Sequence, residues 1–305
     1  MGGTPLVELR NIAQGLQPPN GGARLFAKAE FMNPSGSVKD RAVRAMLLDG
    51  IARGLLTREK TIIDATSGNS GIAYAMFGAS LGYRVKLFMP SNSSPERKRI
   101  ITSYGAEIVP TDPLEGADGA FLAVRDAVAR DARQYYYADQ YNNPANPEAH
   151  YSGTGGEIWK QSAGSVTHFI SGMGTSGTFM GVSRRLKTEN PAIRTVAVQP
   201  ASPLHGIEGT KHMASALKPG ILDESIEDGV IAVTTEEAYA MTRRLAREEG
   251  LFVGISSGAN VAAALRLAET LDRNAVLVTI LCDNGSRYMS DSFWENTVSG
   301  DGDKI

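Results

Sequence analysis

Cysteine is almost absent from this 305-residue chain: Cys282 is the only one. A single thiol cannot close an internal disulfide, so the fold is not a stapled one and suits a reducing compartment. Cys282 ends an apolar run and reads as a buried, inert thiol rather than a nucleophile. Positive charge is not in surplus either. The net charge of −2 removes the electrostatic basis for binding nucleic acid or an anionic membrane. No apolar stretch approaches the ~20 residues of a membrane span. The start, Met1-Gly2-Gly3-Thr4-Pro5, lacks the basic and apolar parts of a secretory signal, so a cytoplasmic protein is expected. Histidine is scarce, and His150, His168, His205 and His212 show no metal-ligand spacing. No metal site is expected, and surface or structural roles are the default for these histidines. The phosphate-loop pattern G-x-x-x-x-G-K-[ST] is missing, which excludes that route to ATP.

Glycine, by contrast, is plentiful at 33 residues and concentrates where strand patterns run into helix patterns. Strands are predicted at 24–30, 61–65, 84–89, 106–110, 135–138, 166–171, 195–199 and 275–281. Between them helices are predicted at 38–53, 72–81, from Ser94-Pro95 onward, 117–130, 150–161, 177–187, 235–249 and 257–271. This alternation implies α/β architecture with parallel sheets. Residues 1–22 are short of regular signals, with a turn at Pro18, Pro19, Gly21 and Gly22. Tyr141-Asn142-Asn143-Pro144-Ala145-Asn146-Pro147 is the best lobe boundary. The stretch from Pro200 to Asp228 is irregular enough to be a mobile flap. The Asp301–Lys304 tail is polar and reads as frayed.

Four loops carry the chemistry. Pro34-Ser35-Gly36-Ser37-Val38-Lys39-Asp40-Arg41 puts a lysine in the first turn of a helix. The positive helix end disfavours its ammonium and lowers its pKa, as a lysine that attacks carbonyls requires. An ordinary solvated lysine in a charged first turn is the bland alternative. Gly172-Met173-Gly174-Thr175-Ser176-Gly177 matches the dinucleotide pattern G-x-G-x-x-G. The following strand ends Val198-Gln199-Pro200, with no acid for a ribose, so a cup for a phosphate monoester is favoured over a dinucleotide site. A plain glycine turn stays open. Thr66-Ser67-Gly68-Asn69-Ser70-Gly71 suits the carboxylate of an amino acid, with Asn69 as helix cap the commoner alternative. In Gly254-Ile255-Ser256-Ser257-Gly258-Ala259 one of the two serines is expected to cap the helix. A nucleophilic lysine, a phosphate cup and a carboxylate cup together suggest pyridoxal 5′-phosphate acting on an amino acid.

On these loops the chain resembles the cysteine synthase (O-acetylserine sulfhydrylase) and cystathionine β-synthase family of fold-type II pyridoxal-phosphate enzymes. The resemblance runs from Gly3-Thr4-Pro5-Leu6-Val7 to Arg287-Tyr288-Met289-Ser290. It implies a two-lobed, tryptophan-synthase-β-like fold, each lobe a largely parallel twisted sheet flanked by helices. Residues 1–36 and 145–305 would form the large cofactor-binding domain, and 37–144 a smaller mobile one. The resemblance makes Lys39 the Schiff-base lysine and catalytic base. It sets Asn69 beside the ring hydroxyl and Ser256 at the pyridine nitrogen. Gly174, Thr175, Ser176, Gly177 and Thr178 would hold the phosphate. Thr66, Ser67, Asn69 and Ser70 would bind the substrate carboxylate, and Gln140 would be a further substrate contact. A homodimer is implied too.

A neutral hydroxyl at Ser256 would not keep the ring nitrogen protonated, which favours loss of a β-substituent over transamination. The expected reaction is β-replacement: Lys39 removes the α-proton, the leaving group departs, sulfide or a thiol adds, and Lys39 returns the proton. The product would be L-cysteine from O-acetylserine or O-phosphoserine, with cystathionine-type thioether formation or serine/threonine β-elimination as alternatives. Lys211, in the flap, would favour O-phosphoserine.

Overall fold

A computed structural model describes residues 1–14 and 22–295. Of the turn predicted at Pro18, Pro19, Gly21 and Gly22, only Gly22 lies among them, and the Asp301–Lys304 tail lies outside. In chain order the elements begin with β1 (Leu6–Glu8), β2 (Arg24–Ala29), α1 (Lys39–Ala52), β3 (Thr61–Ala65) and α2 (Asn69–Leu81). Next come β4 (Val85–Pro90), α3 (Pro95–Ser103), β5 (Glu107–Thr111), α4 (Gly116–Arg130) and β6 (Tyr135–Tyr137). Then follow α5 (Ala145–Ala149), a π-helical turn over His150–Gly155, α6 (Gly156–Gln161), β7 (His168–Gly172), α7 (Gly177–Glu189) and β8 (Arg194–Pro200). The last are β9 (Gly229–Val233), α8 (Thr235–Glu248), α9 (Ile255–Ala268) and β10 (Val276–Leu281).

The strands form two sheets. One runs β1-β2-β10-β7-β8-β9 and the other β5-β4-β3-β6. All pairings are parallel except β1 with β2. Parallel strands need cover on both faces, which explains the unbroken burial of Thr61–Ala65 and Val276–Leu281. On one face of the larger sheet lie Ala238, Met241 and Leu245 of α8 with Ala259 and Ala263 of α9. On the other lie Phe179, Met180, Val182 and Leu186 of α7. The smaller sheet takes Val43, Met46 and Leu47 of α1 and Ile72 to Ala75 of α2 on one face, Ala120 and Val124 of α4 on the other. The three tyrosines of β6 divide the same way: Tyr136 faces α1 and donates to Met46 O at 2.7 Å, while Tyr135 and Tyr137 pack with α4.

Two strands fall where no strand is predicted, β1 within residues 1–22 and β9 after the flap. Both lie at the edges of the larger sheet and are half open, so neither has a strong apolar signal. The helix predicted from His150 starts earlier, at Ala145. Pro147 is tolerated there because first-turn N–H groups have no helical acceptor. The π turn that follows packs on α7 at Gly181, where a Cβ would overlap Pro147 O and crowd His150. The predicted starts of α3 and α8 hold: Ser94 Oγ accepts from Arg97 N at 3.3 Å, and Thr234 and Glu237 form a reciprocal capping box.

Candidate active site

Three of the four loops predicted to carry chemistry follow the C-terminal ends of β2, β3 and β7, where α/β sheets open their ligand crevices, and the fourth leads from α8 into α9. Between the two sheets lies a cavity of about 180 Å³. It is lined by Lys39, Thr66, Ser67, Asn69, Ser70, Gln140, Gly174, Thr175, Ser176, Gly177, Thr178 and Ser256. Every residue assigned a site role from the sequence is therefore brought together, though they are spread over more than 200 positions.

Lys39 is the first residue of α1 and half-buried. Its loop is tied down from several directions. Val38 N donates to Cys282 O at 2.8 Å, and Ser37 bridges Asp283. Ser35 donates to Asp40 through its N–H at 2.7 Å and through its hydroxyl. Arg287 donates to Ser35 O. Among the described residues no protein partner hydrogen-bonds the Lys39 ammonium. Its pKa is lowered chiefly by desolvation, against the pull of Cys282 and Asp283. Burial, rather than the helix end, is thus the main cause. Asp40 and Arg41 are not a generic charged turn, for both are buried. Arg41 pairs with Glu30 and with Glu157, each at 2.7 Å, and Lys28 joins Glu157 at 2.7 Å.

The Gly172–Thr178 loop has another character. Ser176 adopts a left-handed backbone (φ 67°), which turns successive N–H groups the same way. Among the described residues no backbone acceptor faces the N–H groups of Gly174, Thr175, Ser176 and Thr178. A Cβ at Gly177 would overlap Asn146 Oδ1. Asn146 in turn donates to Gln140 O at 2.7 Å and Thr175 Oγ1 at 3.2 Å. Behind the loop, the buried His150 contacts Thr178 Oγ1 at 3.3 Å and Thr154 Oγ1 at 2.9 Å. Burial, reinforced by Arg41 and Lys39, keeps its imidazole neutral. Unpaired N–H donors at a helix N-terminus, hydroxyls and no carboxylate fit a phosphate monoester, and with Lys39 across the cavity they fit pyridoxal phosphate.

In the third loop Thr66, not Asn69, caps the helix. Its Oγ1 accepts from Gly68 N at 2.9 Å and Gly71 N at 3.0 Å. Asn69 is instead the first residue of α2, with its amide held by Asp283 and Arg287. Ser70 donates to Gln140 Oε1 at 2.7 Å, and Gln140 donates to Ala65 O at 2.7 Å. In the fourth loop neither serine caps, because α9 begins at Ile255. Ser257 Oγ accepts from Cys282 N at 2.8 Å, while buried Ser256 faces the cavity. Cys282 is also in the cavity wall, its thiol pushed up to about 11 by burial.

The scan against protein families matches residues 1–283 to the pyridoxal-phosphate dependent enzyme family. The chain is 50% identical to a cysteine synthase of Aquifex aeolicus over 299 residues, 97% of this chain and 91% of that protein. The chain belongs to the cysteine synthase family. It is likewise 42% identical to cysteine synthase B of Escherichia coli, over 95% of this chain and 93% of that one. The crystal structure of a cysteine synthase from Entamoeba histolytica superposes with a TM-score of 0.91 at 35% identity, covering 99% of this chain and 90% of that one. As a cysteine synthase family member the chain is a pyridoxal-phosphate-dependent enzyme of β-replacement.

Several residues in or behind the cavity wall were not assigned a site role from the sequence, and Lys211 was singled out only for its charge. Arg97 stacks on the Tyr288 ring (4.5 Å) and pairs with Glu208 from the 200–228 segment. Lys211 pairs with Asp118 and lies 5.1 Å from the Tyr141 ring centre. His150, read as surface or structural, backs the phosphate loop. Asp283 and Arg287 meet Asn69. Only the polar Cys282-Asp283-Asn284 stretch after an apolar strand hinted at a site here.

Proposed function

We propose that this enzyme makes L-cysteine from O-acetylserine and sulfide. The observation that carries the choice of ester is the state of the cavity's cations. Besides Lys39, the cationic side chains lining it among the described residues are Arg97 and Lys211. Each already faces a carboxylate, Glu208 or Asp118. The Lys211–Asp118 pair offers no net positive charge to a phosphate, so the neutral acetyl ester is preferred over O-phosphoserine.

Pyridoxal phosphate, when bound, supplies the electron sink for charge developing at the substrate's α-carbon. Lys39 takes the α-proton and later returns it, which requires the neutral amine that desolvation favours. Gly174, Thr175, Ser176, Gly177 and Thr178 hold the cofactor phosphate. The Ser256 hydroxyl would face the ring nitrogen and bring no charge to keep it protonated. Thr66, Ser67, Asn69 and Ser70 bind the substrate carboxylate, and Gln140, fixed by Ser70 and Ala65 O, is a further contact. Residues 37–144 move as a smaller domain against 1–36 and 145–305. The enzyme works as a cytoplasmic homodimer; among the described residues no helix is long and apolar enough to cross a membrane.

The test is kcat/KM for O-acetylserine and O-phosphoserine with sulfide, following cysteine. A higher value for O-acetylserine is expected. Preference for O-phosphoserine overturns the choice of ester, and keto-acid release without sulfide capture overturns β-replacement.

A further inference from the structure

Asn69 sits between two buried charges of opposite sign. Its Nδ2 donates to Asp283 Oδ2 at 2.7 Å, and its Oδ1 accepts from Arg287. Asp283 is fully buried and Arg287 nearly so. The two ends of an amide look alike in shape, so a lone asparagine can turn over and present either a donor or an acceptor. Here the neighbours decide. A guanidinium only donates and a carboxylate only accepts. Turning the amide over would set its carbonyl against the carboxylate and its NH₂ against the guanidinium.

Both charges are themselves fixed. Tyr288 donates to Asp283 Oδ2 at 2.7 Å, and the Asp283 backbone bridges Ser37 in the lysine loop. Arg287 also donates to Ser35 O in that loop. Asp283 Oδ1 is buried without a partner, so the carboxylate is oriented through Oδ2 alone.

We propose that Asp283 and Arg287 are positioning residues that lock the Asn69 amide with its second N–H toward the cavity. The cofactor atom beside Asn69 then always meets a donor and never a carbonyl. If that atom is the ring hydroxyl oxygen, the lock favours its ionised form, an acceptor, over its protonated one. The same two residues tie Asn69 to the loop of Lys39, so donor and lysine keep a fixed relation. This inference rests on the proposed place of Asn69 beside the ring hydroxyl.

The experiment compares purified holoenzymes of wild type, Asn69→Ala, Asp283→Asn, Arg287→Met and the Asp283→Asn/Asn69→Ala double variant. It reads the absorption bands of the bound cofactor and the cofactor dissociation constant. Asp283→Asn keeps the shape but replaces the obligate acceptor at one end of the amide with a group that can also donate. It should move intensity out of the long-wavelength band and weaken cofactor retention about tenfold, the scale of one hydrogen bond to a charged group. Arg287→Met, acting on the other end of the amide, should move the bands in the same direction and serves alone if Asp283→Asn does not fold. In the Asn69→Ala background, Asp283→Asn should have a much smaller effect than it has alone, limited to its separate pull on Lys39. Wild-type bands in Asp283→Asn and Arg287→Met, with altered bands in Asn69→Ala, overturn the inference, as does an additive double variant. Unaltered bands in Asn69→Ala overturn the place given to Asn69, and the inference with it.

Discussion

The two ends of the cavity are built on opposite plans. Around the phosphate loop, Asn146, Thr175, Ser176, Thr178 and a neutral His150 present dipoles and no net charge. Around the lysine loop lie Lys28, Glu30, Asp40, Arg41, Asp283 and Arg287, all buried, and the half-buried Glu157. A phosphate brings its own charge, and a helix N-terminus with free N–H groups suffices to receive it. The amine of Lys39 has to stay neutral to act, so charges near it cannot be left unbalanced. Lys28, Glu30, Arg41 and Glu157 pair with one another, while Asp40, Asp283 and Arg287 are held by neutral partners; the task is geometric, for Arg41 joins α1 to Glu30 and to α6, and Arg287 joins the Lys39 and Asn69 loops. One end is shaped by what it binds, the other by what it must hold still.

Substitutions at the two ends should therefore fail differently. Lys39→Ala should have the largest effect, a loss of turnover of about 10³-fold or more, because it removes the proton carrier. Steady-state cysteine formation measures it, and the lysine-dependent absorbance of the bound cofactor should vanish in parallel. Turnover within tenfold of wild type would remove Lys39 from the centre of the scheme. Glu30→Ala comes next. It strips Arg41 of a bidentate partner at 2.7 Å in the interior, a change that costs about 3–5 kcal/mol. Denaturant unfolding of the cofactor-free protein reads that loss, which should appear whether or not cofactor is added.

Gly177→Ala is smaller in stability and opposite in kind. Overlap with Asn146 costs about 1–3 kcal/mol. Its main signature should be cofactor binding, with stabilisation by added pyridoxal phosphate reduced or lost. An undiminished cofactor-induced shift in melting temperature would erase the contrast between the ends.

The smallest effect expected is on acid stability. Burial alone would raise the Glu157 carboxyl, but hydrogen bonds from Arg41 and Lys28 outweigh it and hold it at about 2. A carboxylate depressed in the folded state stabilises above its unfolded pKa, near 4.3, and that stability is lost as pH falls from there toward 2. Melting temperatures between pH 5 and pH 2.5 should fall more steeply for wild type than for Glu157→Gln. Parallel slopes would show that Glu157 is not the titrating member.

Much of the neutral end was legible in the sequence, because glycines and hydroxyls at strand-to-helix junctions are local signals. Gly174 to Thr178 and Thr66 to Ser70 could be found that way, and Ser256 by the same residue types in a helix-to-helix loop. The charged end could not. Arg41 meets Glu157 across 116 positions and Arg287 meets Asn69 across 218. Nothing local distinguishes such residues from solvated ones, so Asp40 and Arg41 read as surface charges. The edge strands β1 and β9 escaped for a related reason: half-exposed, short segments carry little periodic contrast. Helix capping misled in the Ile255–Ser257 turn, and at Asn69 the capping alternative does not hold. The residue type fits a cap, but the start of each helix is fixed by Thr66 or by the backbone of Gly254.

Cys282 gives the molecule a chemical quietness suited to its trade. An enzyme that handles sulfide and releases cysteine keeps its own only thiol in the cavity wall. With the thiol pushed up to about 11, chiefly by burial, the thiolate is disfavoured at neutral pH. Thiolate is the species that attacks disulfides, so cystine and other oxidised products find little thiolate there. The working chamber is insulated from mixed-disulfide capture by the compound it makes.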